Sequence, residues 1–203
     1  MYIVDRIRRV FDLAADPTII EAHLGTDPLL AEQLKTIEGV RVAGAWDGFE
    51  IAVLAILGQL RDPREAAQTG SRLASLFGCA VAGGWGLTRT FPTARQLSTA
   101  DIERVGVSSK IASSIRQLAT RVTTGALPLN SCVDVDKTML ELSSIPGLDN
   151  LTREYIVMRT LNDPDAFPVD HAQVAKAKSE QWRPWRAYAA ILVWRATEAG
   201  RIL

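Results

Sequence analysis

Apolar positions along this chain recur at helical rather than alternating spacing. Ile3, Ile7, Val10 and Phe11 fall on one stripe and predict a first helix that faces a core. In AWDGFEIAVLAILGQL, Asp47 with Glu50 three residues later forms a capping box ahead of a run that is apolar nearly all round, so this helix should be central and buried. Asp62, Pro63 and Glu65 repeat the start signal, with proline at the first helical position, and that helix runs to about Phe77, before Gly78. The segment 79–91 is rich in glycine and reads as a loop; Thr93 and Thr99 each cap a short helix beyond it, the second ending at Gly106. Ile111, Ile115, Leu118 and Val122 trace another stripe, ended by Gly125. Asp134 opens a helix that stops at Pro146–Gly147; further helices are expected at about 150–161, 170–178 and 184–199. No run of strict alternation, internal repeat or low-complexity tract is present. The fold class is therefore all-α.

Composition narrows the picture without deciding function. A chain of 203 residues can bury one good core or two small lobes that meet at a cleft. With 47% hydrophobic and 23% charged residues it has an ordinary globular make-up, which excludes a disordered chain. No apolar run approaches the roughly 18 residues that suggest a membrane span, and MYIVDRIRRV mixes charge into its apolar residues, so neither a membrane location nor a signal peptide is expected. Cys79 and Cys132 are too few for a disulfide framework or a Cys-rich metal site, which fits a reduced, cytoplasmic setting. The formal net charge of zero speaks against nucleic-acid binding by bulk electrostatics. It leaves room for a small DNA footprint built from helix N-termini and a few cations.

Four constellations could carry chemistry. In LSSIPGLDNLTREYIVMRTL, two helices joined by a tight Pro-Gly hairpin can aim free amides at a phosphate, or simply connect two helices of a bundle. Asp170 and His171 place a carboxylate and an imidazole just after a loop, where helix capping by Asp170 is the plainer role. Trp182, Trp185, Tyr188 and Trp194 crowd one helical stretch, as core or as a base-stacking wall. Gln59 and Leu60 end the buried helix, where an apolar tip can wedge into a base stack or make a helix-end contact.

Taken in order, these segments resemble the alkylation-repair DNA-3-methyladenine glycosylases of the helix-hairpin-helix superfamily, over nearly the whole chain. FEIAVLAILGQL resembles the family's wedge segment, IPGLDNLTREYIVMRTL its hairpin, NDPDAFPVD its catalytic loop and RPWRAYAAILVW its final helix. The resemblance implies two helical lobes around a cleft, one spanning 47–163 and the other 1–46 with 164–203, and a chain that starts too late for the extra N-terminal α/β domain of some members. It implies a hydrolase of base excision repair that flips an alkylated base out of duplex DNA and cleaves its N-glycosidic bond, acting as a monomer without metal or other cofactor. Carried over by position, Leu60 is the wedge and Gln59 its neighbour, Gly147 and Thr152 belong to the hairpin, and Tyr155 and Trp194 to the base pocket.

This chain departs from that pattern at four places. Asp149 stands where the hairpin's second glycine belongs, so a carboxylate would face phosphate. Leu151 replaces a common pocket tryptophan, and Arg153 replaces a small residue where it could offset Asp149 or contact DNA. Aligned without a gap, His171 occupies the catalytic aspartate's position, with the apolar Val174 three residues on; a loop one residue shorter would put Asp170 there instead. Two further readings stay open: a catalytically weak or inactive relative that recognises damaged or distorted DNA, and a helical interaction module that no longer binds DNA.

Overall fold

The computed structural model describes residues 2–59, 63–82, 86–129, 134–170, 174 and 176–198. The expectations for Leu60 and His171 lie outside these residues, as does the proposed cap at Asp62. Within them the chain is helical, with a single isolated β-bridge between Ala80 and Arg89 in the segment expected to be a loop.

Helices α1 (Tyr2–Val10), α2 (Pro17–Leu24) and α3 (Pro28–Leu34) open the fold. The last two were not expected, yet each carries a plain signal. Asp16–Pro17 and Asp27–Pro28 are start pairs like the one at Pro63, and both aspartates cap the amides two residues on, at 2.9 and 2.8 Å. The expectation for α1 is overturned. Ile3, Ile7 and Phe11 are exposed, and the side turned toward the protein carries Arg6, over the Trp46 ring, and Arg9, which donates to the Ala45 carbonyl at 3.0 Å. The reason lies just past the helix, at Asp12. Its backbone is left-handed (φ 52°), its carboxylate accepts from Val42 N and from the Tyr188 hydroxyl, and its carbonyl accepts from Arg41. These polar anchors set the rotation of α1, and the apolar stripe follows passively.

Helix α4 (Gly48–Leu57) is capped by Asp47, which accepts from Glu50 N at 3.0 Å, and buries Ala52, Val53, Ile56 and Leu57 completely. Fully burying such a side chain contributes about 1.5–3 kcal/mol, so α4 is the organising element. Around it pack α5 (Pro63–Phe77), α7 (Ser109–Thr123) and α9 (Asn150–Leu161). Helix α6 (Ala94–Leu97), capped by Thr93 as expected and in a capping box with Gln96, lies on α7, and α8 (Val135–Ser143) lies on α9. The short helix before Gly106 is a 3₁₀ turn, Ile102–Val105, preceded by Asp101 rather than capped by Thr99.

After α9 the chain runs through a loop to α10 (Lys176–Ser179), a 3₁₀ turn (Glu180–Trp182) and α11 (Arg186–Glu198), which packs on α3. Asp170 and Val174 lie outside any helix, so the described part of the expected 170–178 helix is helical only from Lys176. Val174 N donates to the Asp170 carbonyl at 3.2 Å. The buried Trp182 donates to Asp27 at 3.1 Å, tying this segment to the start of α3.

Candidate active site

The hairpin forms as the residues require. Gly147 has φ +90°, which L side chains rarely adopt, and a Cβ there would stand 2.8 Å from Ser114 Oγ. That hydroxyl lies 2.7 Å from the Pro146 carbonyl and 3.0 Å from that of Lys110, tying the turn to α7. Asp149 is the N-cap of α9 and accepts from Thr152 N at 2.7 Å. The carboxylate expected to confront a phosphate thus completes its own helix. Thr152 is buried, and its hydroxyl accepts from Gln59 Nε2 at 2.9 Å, joining the end of α4 to the hairpin. Arg153 reaches Asn150 Oδ1 at 3.4 Å.

Between α4 and α9 lies an apolar cavity of about 380 Å³. Ile51, Leu54, Ala55 and Gly58 form one wall, Leu151, Thr152 and Tyr155 the other, and Pro168 reaches in from the loop. Trp194 is not among the lining residues; it lies behind the wall with its ring 6.3 Å from that of Tyr155, tilted by 43°. The Arg159 guanidinium sits 5.6 Å from the centre of the Tyr155 ring, one turn along α9. Leu151, which replaces the common pocket tryptophan, is aliphatic, and Tyr155 is the aromatic among the lining residues.

The loop carrying Pro168 is held from several sides. Arg186 grips both carboxylate oxygens of Asp165, at 2.8 and 3.0 Å, and Arg183 also bonds to Asp165. Ala187 N donates to the Pro164 carbonyl, Phe167 N donates to Glu154 on α9, and the Phe167 ring meets Trp182 edge-on. Burial is the main reason the Asp163 carboxyl titrates above the usual carboxylate range. Asp170 follows Pro168 by two residues and is exposed. NDPDAFPVD and RPWRAYAAILVW match the family as separate segments. The complementary charges of Arg183 and Arg186 with Asp165 were the signal that they fold onto one another.

The fold is that of solved DNA glycosylases. The chain is similar to Clostridium acetobutylicum 8-oxoguanine glycosylase/lyase, solved in complex with dsDNA containing cytosine opposite 8-oxoG, with a TM-score of 0.76 over 95% of this chain and 74% of that one, at 21% identity. Within that class, DNA-3-methyladenine glycosylase 2 of Escherichia coli (strain K12) is 32% identical over 204 residues, 93% of this chain and 70% of that protein. The chain belongs to the DNA-3-methyladenine glycosylase 2 family. The probable bifunctional transcriptional activator/DNA repair enzyme AlkA of Mycobacterium tuberculosis (strain CDC 1551 / Oshkosh) is 33% identical over 209 residues, 95% of this chain. The chain spans 42% of the length of that relative. Residues 1–47 match the model of the AlkA N-terminal domain.

Proposed function

We propose that this chain binds duplex DNA and releases alkylated bases such as 3-methyladenine by hydrolysis, acting as a monomer. The observation that carries this reading is the cavity between α4 and α9, apolar on both walls, open to solvent, and closed on one side by the loop that leads to Asp170. The family of the chain supports it. In this reading the cavity lies within a lobe of 47–163, and a lobe of 1–46 with 164–203 reaches its edge through the loop carrying Pro168.

Leu60 wedges into the gap left by the flipped nucleotide, with Gln59 beside it, and the base enters against Tyr155, backed by Trp194. An alkylated purine carries positive charge and is held by the aromatic face. As the bond from C1′ to the ring nitrogen breaks, that electron pair neutralises the base, which leaves. A water oxygen bonds to C1′ and gives its proton to a carboxylate, which also stabilises the oxocarbenium-like sugar. We assign that carboxylate to Asp170, with His171 as the neighbour that would hold the position in the ungapped register. No residue is required to hold a metal.

The test is base release from alkylated duplex DNA. Asp170→Asn should slow release by roughly 100-fold or more while duplex affinity stays within about twofold, because charge stabilisation is lost in the transition state alone. Undiminished release by Asp170→Asn with loss in His171→Ala would move the role to His171. The exposure of Asp170, outside the cavity lining, favours a second reading, a DNA-binding relative that does not cleave. Tight, salt-dependent duplex binding with no release by the unsubstituted protein would establish it.

A further inference from the structure

The hairpin borders a second cavity, of about 330 Å³, whose lining includes Gln59, Ser108, Lys110, Ser114, Gly147 and Asp149. Lys110 is the cation of this set. Its methylenes lie across the hairpin glycine, since a Cβ on Gly147 would stand 3.2 Å from Lys110 Cε and 3.4 Å from Cγ. The side chain therefore follows the turn toward the cavity it shares with Asp149. Lys110 is exposed and makes no ion pair among the described residues, whereas Asp149 is engaged with Thr152 N. The segment is also tied down on both sides, through Ser114 to Pro146 and through Gln59 to Thr152.

Asp149 removes positive potential from the very place where the hairpin would meet a DNA strand. In a chain with no net charge, a duplex approaching this turn needs a local cation. From this arrangement we infer that Lys110 is the phosphate contact of the hairpin cavity, supplying from α7 the charge that Asp149 cancels on α9. The inference rests on the proposal that the chain binds DNA, and it adds a contact that the motif match did not include. A phosphodiester fits a lysine here because the ammonium is a point charge on a flexible stem, and its role is to hold register without reading sequence.

The test is a fluorescence-anisotropy titration of a labelled duplex carrying an abasic-site analogue, from 50 to 200 mM salt, with the full chain and Lys110→Gln. Loss of one phosphate contact should weaken binding roughly tenfold at 50 mM and roughly threefold at 200 mM, lowering the slope of log affinity against log salt by about one. Lys110→Arg should keep most of the affinity, and the melting temperature of Lys110→Gln should equal that of the parent because the side chain is exposed. If the parent binds and Lys110→Gln matches it in affinity and slope, Lys110 is not a contact and the DNA-binding reading stands. If the parent does not bind duplex at any salt, that reading falls and this inference falls with it.

Discussion

The two ends of α9 solve opposite problems. At its start, a helix terminus that could recruit an outside anion is closed by Asp149, at 2.7 Å from the Thr152 amide, and the cavity beside it stays open. At its end, the chain leaves through Asn162 in a left-handed conformation (φ 55°) and enters a loop whose carbonyls, amides and carboxylates are taken up by Arg183, Arg186, Ala187 and Glu154. The hairpin end satisfies itself and leaves a cation free beside it; the loop end spends its charges on one another and holds Pro168 against the cavity. Charge at the first end tunes what binds. At the second it fixes where the backbone goes.

Arg186→Ala is the strongest way to break that contrast. The Arg186 side chain is 15% exposed and Asp165 21%, so their two-point pair is screened far less than a surface pair. Its loss should cost about 2 kcal/mol, less than a fully buried pair because Arg183 remains. For a chain of this size the melting temperature should fall by roughly 4–8 °C. Arg186→Lys should recover only part of this, since an ammonium cannot grip both oxygens in a fork. A melting temperature within about 1 °C of the parent for Arg186→Ala would show that the backbone bond from Ala187 to Pro164 holds the loop without the ion pair.

Asp149 is the matching probe at the other end. Asp149→Asn keeps a capping oxygen and removes the charge, so stability should barely move while duplex affinity rises about fivefold at low salt, shrinking as salt increases. Asp149→Ala removes both and should lose about 1 kcal/mol of stability. Asp149→Gly combines the gain in affinity with a smaller loss of cap. Unchanged affinity at low salt for all three would mean that DNA does not meet the hairpin, and the comparison between the two ends would lose its functional half.

How much of this was legible in the sequence depends on range. The caps at Asp47, Thr93 and Asp134, the turn at Gly147 and the bounds of α9 follow from a few neighbouring residues, and the structure agrees with each. The orientation of α1 did not, because Asp12 is held by Val42 and Tyr188, 30 and 176 residues away. The site divides the same way. Tyr155 in the cavity wall follows from the motif, whereas Trp194 behind it depends on how α11 meets α9, and Leu54 and Ala55 opposite on how α4 does. The role of Asp149 as a cap was readable from Thr152 three residues on. The missing-glycine pattern directed attention to the phosphate and away from the helix the carboxylate completes.

The smallest expected effect concerns Asp163, where the loop end carries a charge it would be better without. Burial is the main cause of its raised titration point, followed by two opposing influences: the amide of Asp165, which favours the charged form, and the Asp165 carboxylate, which disfavours it. In the unfolded chain the group titrates in the ordinary carboxylate range, so folding favours its protonated form. Its charge therefore weakens the fold at neutral pH, and that cost disappears as pH falls through the folded-state value. Asp163→Asn keeps an oxygen for the bond from Asp165 N, at 3.1 Å in the parent, and removes the charge. It should raise the melting temperature by about 1–2 °C at neutral pH, with the gap closing toward about pH 4. A variant that is less stable at neutral pH, with a gap that closes on acidification, would mean that Arg183 and Arg186 outweigh burial. Asp163 would then join Asp165 among the charges that hold the loop.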